Sequence, residues 1–219
     1  MIDTEIFEEN DDVIFPFTMT ERGGEYTFRS FDFLKEKIRP IIEKYDDPFC
    51  AECREEIDKA IFPDIDALGY EKQDVCDEWY YIYGSDHSVK ASEIEIEMLT
   101  SESKIGDIEF EETDLAEALE YSQLCTAVRK DEKIVSVCVE NFLDNEREVE
   151  VSVETLPEYR GKGYASACLA YMTNLLVEDA REVLYMCSCN NKASIRTAER
   201  AGLDILGKNY YYVCQKKDY

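Results

Sequence analysis

Positive charge is scarce in this chain. Twenty-four lysines and arginines stand against 50 aspartates and glutamates in 219 residues, a formal net charge of −26. Neutralising a nucleic-acid backbone takes clustered cations, so the deficit argues against nucleic acid as a partner. The same acidity favours the approach of a cationic amine or basic peptide, and equally serves solubility. Long apolar runs are missing too. No stretch approaches the ~20 consecutive apolar residues of a membrane span, and Met1-Ile-Asp-Thr-Glu-Ile6 lacks the basic-then-apolar layout of a secretion signal. Both absences point to the cytoplasm and away from a membrane. No repeat, low-complexity run or Gly/Ser/Pro linker marks a boundary, so the N-terminal part is expected to pack onto the rest. Histidine occurs once, as His87. Cys50-Ala-Glu-Cys53 has ligand spacing, but no second pair matches it, so no metal site is expected. Cys138, Cys168, Cys187 and Cys214 fall among apolar positions, where cysteine behaves as a small hydrophobe.

The informative stretch lies further on. Val149, Val151 and Val153 alternate with polar residues, the period-two signature of a strand burying one face. Pro157 then removes a ladder donor and forces a turn. Gly161 and Gly163 allow backbone angles that side chains bar and let a ligand come close to the main chain. Tyr164 to Val177 reads as a helix, with apolar positions at 165, 168, 169, 172, 175 and 176. Unpaired amides at its start, backed by the helix dipole, Arg160 and Lys162, suit an anion such as a diphosphate.

Arg160-Gly-Lys-Gly-Tyr-Ala165 resembles the Arg/Gln-x-x-Gly-x-Gly/Ala pattern of the GCN5-related N-acetyltransferase (GNAT) superfamily. Glu182 to Cys189 is similar to that family's next core strand, Asn190-Asn191-Lys-Ala-Ser194 to its Asn-x-x-Ser helix start, and Ala198-Glu-Arg-Ala-Gly202-Leu203 to the end of that helix. A tyrosine-rich strand, Asn209 to Val213, follows. A lone glycine pattern is shared by other phosphate loops; four elements in order are specific. The resemblance covers roughly residues 95 to 219.

The fold implied is α/β: a mixed, mostly antiparallel sheet with flanking helices, in which the strands at 148–155 and 182–189 run parallel and splay apart. Ile94 to Leu99 reads as its first strand and Asp114 to Tyr121 as a helix. Leu124 to Arg129 and Lys133 to Glu140 form a hairpin around Lys130-Asp-Glu132. Residues 93–219 are thus expected to form a GNAT-like acetyltransferase domain, and residues 1–92 an α-rich region of unknown role. In that region Phe31 to Tyr45 is an amphipathic helix that Pro40 ends or kinks. Glu52 to Phe62 is a second, stopped by Pro63, and Trp79 to Tyr83 an aromatic strand closed by Gly84.

The activity implied is transfer of an acetyl group from acetyl-CoA, used as acyl-donor substrate, to a primary amine of a small molecule or peptide by direct attack. By resemblance, the backbone at Val153, Glu154 and Thr155 pairs with the pantetheine arm, and the amide of Val153 polarises the acetyl carbonyl. Gly161, Lys162, Gly163, Tyr164 and Ala165 hold the pyrophosphate with Arg160. Asn191 contacts the pantetheine with Ser194 nearby, though both residues are also ordinary helix caps. Glu150 is the candidate base. The family commonly has a tyrosine acid where this chain has Ala198; Tyr211 is the candidate substitute, against the reading of Tyr210, Tyr211 and Tyr212 as strand formers. That departure motivates the alternative of a non-catalytic acyl-CoA-binding sensor or interaction module. Sheet edges and the aromatic last strand allow a homodimer.

Overall fold

The computed structural model describes residues 2–3, 8–10, 12–106, 110–121, 123–141 and 147–217. Of the segment read for a secretion signal, residues 1 and 4–6 lie outside the described residues. The chain divides into two compact units, and not at 92/93. Met1–Tyr81, Ser188–Asn190 and Gly207–Tyr219 form one; Ile82–Cys187 and Asn191–Leu206 form the other.

The first unit contains β1 (Ile2–Asp3), β2 (Glu8–Asn10), β3 (Val13–Arg22), β4 (Glu25–Ser30), α1 (Lys35–Ile42), α2 (Ala51–Ala67), β5 (Tyr70–Lys72) and the start of β6 (Tyr80–Ser85). Besides the two expected helices it carries a hairpin that the periodicity does not reveal, so an α-rich description covers only part of it. Gly23 and Gly24, both at positive φ, make the two-residue turn between β3 and β4. The C-terminal strand β12 (Asp204–Lys216) pairs antiparallel with β3, Tyr211 opposite Thr18, which draws the last residues of the chain into this unit. Neither proline stops its helix on the spot. Pro40 lies inside α1, which ends two residues later, and Pro63 lies inside α2, which runs on to Ala67. Tertiary burial overrides the lost hydrogen bond: Ile57, Ile61 and Ile65 stack at helical spacing into a core with Leu34, Ile38, Phe17, Met19, Tyr210 and Tyr212.

The second unit continues through β7 (Glu97–Leu99), α3 (Leu115–Glu120), β8 (Cys125–Lys130), β9 (Lys133–Glu140), β10 (Glu148–Thr155), α4 (Tyr164–Glu178), β11 (Glu182–Ser188) and α5 (Lys192–Ala201). Its strand order is β6-β11-β10-β9-β8-β7. The strand expected from Ile94 begins only at Glu97, and β6 continues through Gly84 instead of closing there. A Cβ on Gly84 would lie 2.5 Å from the Val183 carbonyl oxygen, so only glycine lets the backbones approach this closely. The β8–β9 hairpin turns at Asp131 and Glu132, both at positive φ. Leu115, Ala118 and Leu119 of α3 cluster with Ala127, Val137 and Val139 on one sheet face. Helix α4 covers the other, where the Thr126 hydroxyl donates to the Cys168 carbonyl, 3.4 Å.

One feature of this sheet positions the site. β10 pairs with β9 antiparallel from Val151 to Thr155, but with β11 in parallel only at Glu148–Glu182, Val149–Val183 and Glu150–Leu184. Beyond that pair the two strands part, as expected of the splayed pair. Among the described residues, no helix is long and apolar enough to cross a membrane.

Candidate functional site

At the end of β10 the Leu156 amide still donates to the Val135 carbonyl, 3.0 Å; Pro157–Tyr159 then makes a single tight turn. Gly161 (φ 78°) and Gly163 (φ 84°) carry the chain through the left-handed region into α4. Gly163 caps that helix with no side-chain hydrogen bond, which leaves the first-turn amides of α4 without a side-chain acceptor. A cavity of about 210 Å³ opens here, lined by Val153, Thr155, Tyr159 to Gly161, Gly163 to Ser166, Tyr185 and, from α5, Ala193, Ser194, Arg196, Thr197 and Arg200. A Cβ added at Gly161 or Gly163 would meet no protein atom within 4 Å, so the space above the loop is open.

The register of β10 decides which of its backbone groups face the splay. The Asn141 amide donates to the Glu150 carbonyl and the Leu156 amide to Val135, so the even-numbered residues from 150 to 156 spend their backbone groups on β9. Alternation turns those of Val151, Val153 and Thr155 to the opposite edge, where β11 has already diverged. The Val153 amide therefore points along the open edge beside the cavity.

Side chains sort as follows. Arg160 is tethered: its Nε donates to the Thr155 carbonyl, 3.0 Å, and its guanidinium pairs with Glu111, 3.3 Å. Lys162 donates to the Glu158 carbonyl, 3.3 Å, and lies over the Tyr159 ring; it does not line the cavity. The Glu154 carboxylate accepts from the amides of Glu111 (2.6 Å) and Glu112 (3.1 Å), which fixes the segment that carries the partner of Arg160. Asn191 caps α5 by accepting from the Ser194 amide, 3.1 Å, and is not among the cavity-lining residues, whereas Ser194 is. Tyr211 lies in the first unit and lines a different cavity, of about 430 Å³, with Phe15, Thr18 and Asn209; the Asn209 side-chain amide donates to its hydroxyl, 2.5 Å. The loop, the β10 edge and Ser194 thus come together in the second unit, and Tyr211 lines another cavity, in the first unit.

Glu150 sits on the α3 side of the sheet, at the pair where the splay begins. It is half-buried, and burial pushes its carboxyl above the usual carboxylate range. Its carboxylate makes no ion pair or hydrogen bond with the described residues. A desolvated, unpaired carboxylate can act as a proton acceptor. Tyr185, Arg196 and Arg200 were missed by reading the sequence. Tyr185 could have been found: Val183, Tyr185 and Cys187 alternate on β11, which marks the buried face of the strand beside the loop. Burial pushes its phenol up to about 12, against a hydrogen bond with Ser194 that lowers it. Cys50 is spent on the start of α2, its sulfur accepting from the Cys53 amide at 3.4 Å, and burial drives the Cys53 thiol up to about 12. Among the described residues, no three His, Cys, Asp or Glu side chains are grouped to hold a metal ion.

An open-edge amide beside a helix start whose amides lack a side-chain acceptor, with a carboxylate at the fork, is an arrangement suited to acyl transfer from a phosphate-bearing carrier. Residues 116–212 match the family described as GNAT acetyltransferase. A GNAT-family acetyltransferase from Novosphingobium aromaticivorans superposes over 68% of this chain and 69% of its own, at 20% identity and a TM-score of 0.51. A GNAT-family acetyltransferase from Colwellia psychrerythraea covers 68% of this chain and 57% of its own, at 13% identity and a TM-score of 0.48. A conserved protein of unknown function from Staphylococcus epidermidis covers 100% and 96%, at 11% identity and a TM-score of 0.48. Among curated proteins none matches the chain. Through residues 116–212 the chain is similar to the GNAT acetyltransferase family.

Proposed function

We propose that this protein is an N-acetyltransferase that moves the acetyl group of acetyl-CoA to a primary amine of a small molecule or peptide by direct attack. The observation that carries the proposal is the open cavity where the two-glycine loop and the uncapped start of α4 meet the unpaired edge of β10. First-turn amides and Arg160 take the diphosphate, with Gly161, Lys162, Gly163, Tyr164 and Ala165 forming the cradle. The pantetheine arm lies along Val153, Glu154 and Thr155 as a pseudo-strand, with Ser194 and Asn191 across from it. The Val153 amide donates to the acetyl oxygen.

Glu150 removes a proton from the incoming ammonium, directly or through water. The free amine attacks the thioester carbon, the C–N bond forms, and negative charge collects on the oxygen held by the Val153 amide. Collapse breaks the C–S bond. An alkyl thiolate, with a pKa near ~8.5, departs without a strong acid; Tyr211 is proposed to deliver the proton that it finally takes up. A net charge of −26 favours acceptors that are cationic before they lose that proton. The protein works in the cytoplasm.

Isothermal titration of the folded chain with acetyl-CoA should show saturable binding, and free thiol should be released across a panel of amines. A folded sample that takes up no acetyl-CoA ends the proposal. Binding without turnover on any amine would move the reading to an acyl-CoA sensor.

A further inference from the structure

Helix α5 lends the cavity two arginines one turn apart, Arg196 and Arg200, on the wall that faces the loop. Both are exposed, and neither makes an ion pair or hydrogen bond among the described residues. That is unusual here, because acidic residues outnumber basic ones two to one and most cations find a partner: Lys133 pairs with Glu158, Arg129 with Glu97 and Arg181 with Glu140. Arg160, on the opposite wall, is already committed to Glu111 and the Thr155 carbonyl. The cavity therefore has two cationic poles: a loop pole of backbone amides with a tethered arginine, and a helix pole of two unspent guanidinium groups.

Coenzyme A also has two anionic groups, a diphosphate and a phosphomonoester on the ribose 3′ oxygen. The loop pole has the geometry for the diphosphate, since its amides converge at a helix start. We infer that Arg196 and Arg200 receive the 3′-phosphate, and that this enzyme selects the 3′-phosphorylated carrier over its dephospho form. The inference rests on the acyl-CoA reading of the cavity. Guanidinium groups suit it, because their forked donors match phosphate oxygens and stay charged at any working pH. The surrounding negative field would otherwise repel a ligand with this much charge, so two local cations bear directly on capture.

Calorimetric titration of the whole protein with CoA and with dephospho-CoA, at one fixed ionic strength, tests it. Charge-assisted hydrogen bonds to the extra phosphate should make CoA bind about ten- to a hundredfold more tightly. Arg196→Ala with Arg200→Ala should remove that preference while leaving the dephospho-CoA affinity within about twofold, and thermal melts should stay unchanged because both side chains are exposed. Lysines at the two positions should restore part of the preference. Equal affinity of the wild type for both ligands overturns the inference and leaves the acyl-CoA reading standing. A double variant that weakens both ligands alike overturns it as well, because the arginines would then serve the diphosphate. If the folded wild type binds neither ligand, the acyl-CoA reading falls and the inference goes with it.

Discussion

Glu150 and Leu184 are the last pair of the parallel ladder between β10 and β11, and beyond them Val153 faces no paired residue of β11. The Val153 amide is a donor on that edge, and Val153→Pro deletes it without removing a bond to β9. Proline is tolerated at such an edge. The variant should melt close to wild type and bind acetyl-CoA, yet turn over about a hundredfold more slowly. Single-turnover rates with saturating acetyl-CoA check this. An unchanged rate would show that the carbonyl is polarised elsewhere.

Glu150→Gln separates a proton acceptor from a carboxylate that merely meets solvent. As the base, Glu150 must be ionised, so the acid limb of kcat/KM should fall above the ordinary carboxylate range, in line with the upward push of burial. The glutamine variant should lose about a hundredfold or more in kcat, along with that limb. Stability runs the opposite way. A folded-state pKa above the unfolded one means that the folded chain holds the proton more tightly. Ionisation then costs stability as pH rises through the folded value, and nothing is lost below the unfolded value of ~4.3. Melting curves should show the glutamine variant more stable than wild type at about pH 7 and equal to it at about pH 4.

Gly163 is held at φ 84°, and a Cβ there would touch no protein atom. Gly163→Ala should thus cost only the left-handed strain, about 1 to 2 kcal/mol in a urea titration. Any loss of acetyl-CoA affinity beyond what that destabilisation explains measures how closely the carrier approaches the backbone. A variant that binds as well as wild type would place the diphosphate away from the loop.

Much of the second unit was legible because its signals are local. Val149, Val151 and Val153 alternate, two glycines follow a proline, and Asn191 stands three residues before Ser194 at a helix start. What stayed hidden is non-local. Nothing near Val13 to Arg22 says that its partner is the last strand of the chain, and that pairing helps carry Tyr211 into the first unit. Pro63 misled because local chemistry predicts a stop, whereas three isoleucines buried on one face hold the helix together. Arg196 and Arg200 look like any exposed basic pair until α5 is set against the loop.

Two tyrosines can be told apart by which kinetic constant each controls. Tyr185 lines the cavity, and its phenol, pushed up to about 12, stays protonated across the working range. Handing that proton to a thiolate of pKa ~8.5 would be steeply uphill, so Tyr185 holds and orients but does not act as an acid. Tyr185→Phe should raise KM for acetyl-CoA several-fold by removing the partner of Ser194, with the alkaline limb of the rate profile in place. Tyr211→Phe should leave KM for acetyl-CoA alone, because Tyr211 does not line that cavity, and lower kcat if its hydroxyl protonates the departing thiolate. Steady-state kinetics of both variants against pH decide the matter. A Tyr211→Phe enzyme with wild-type kcat would remove Tyr211 from the chemistry, leaving the thiolate to take its proton from water.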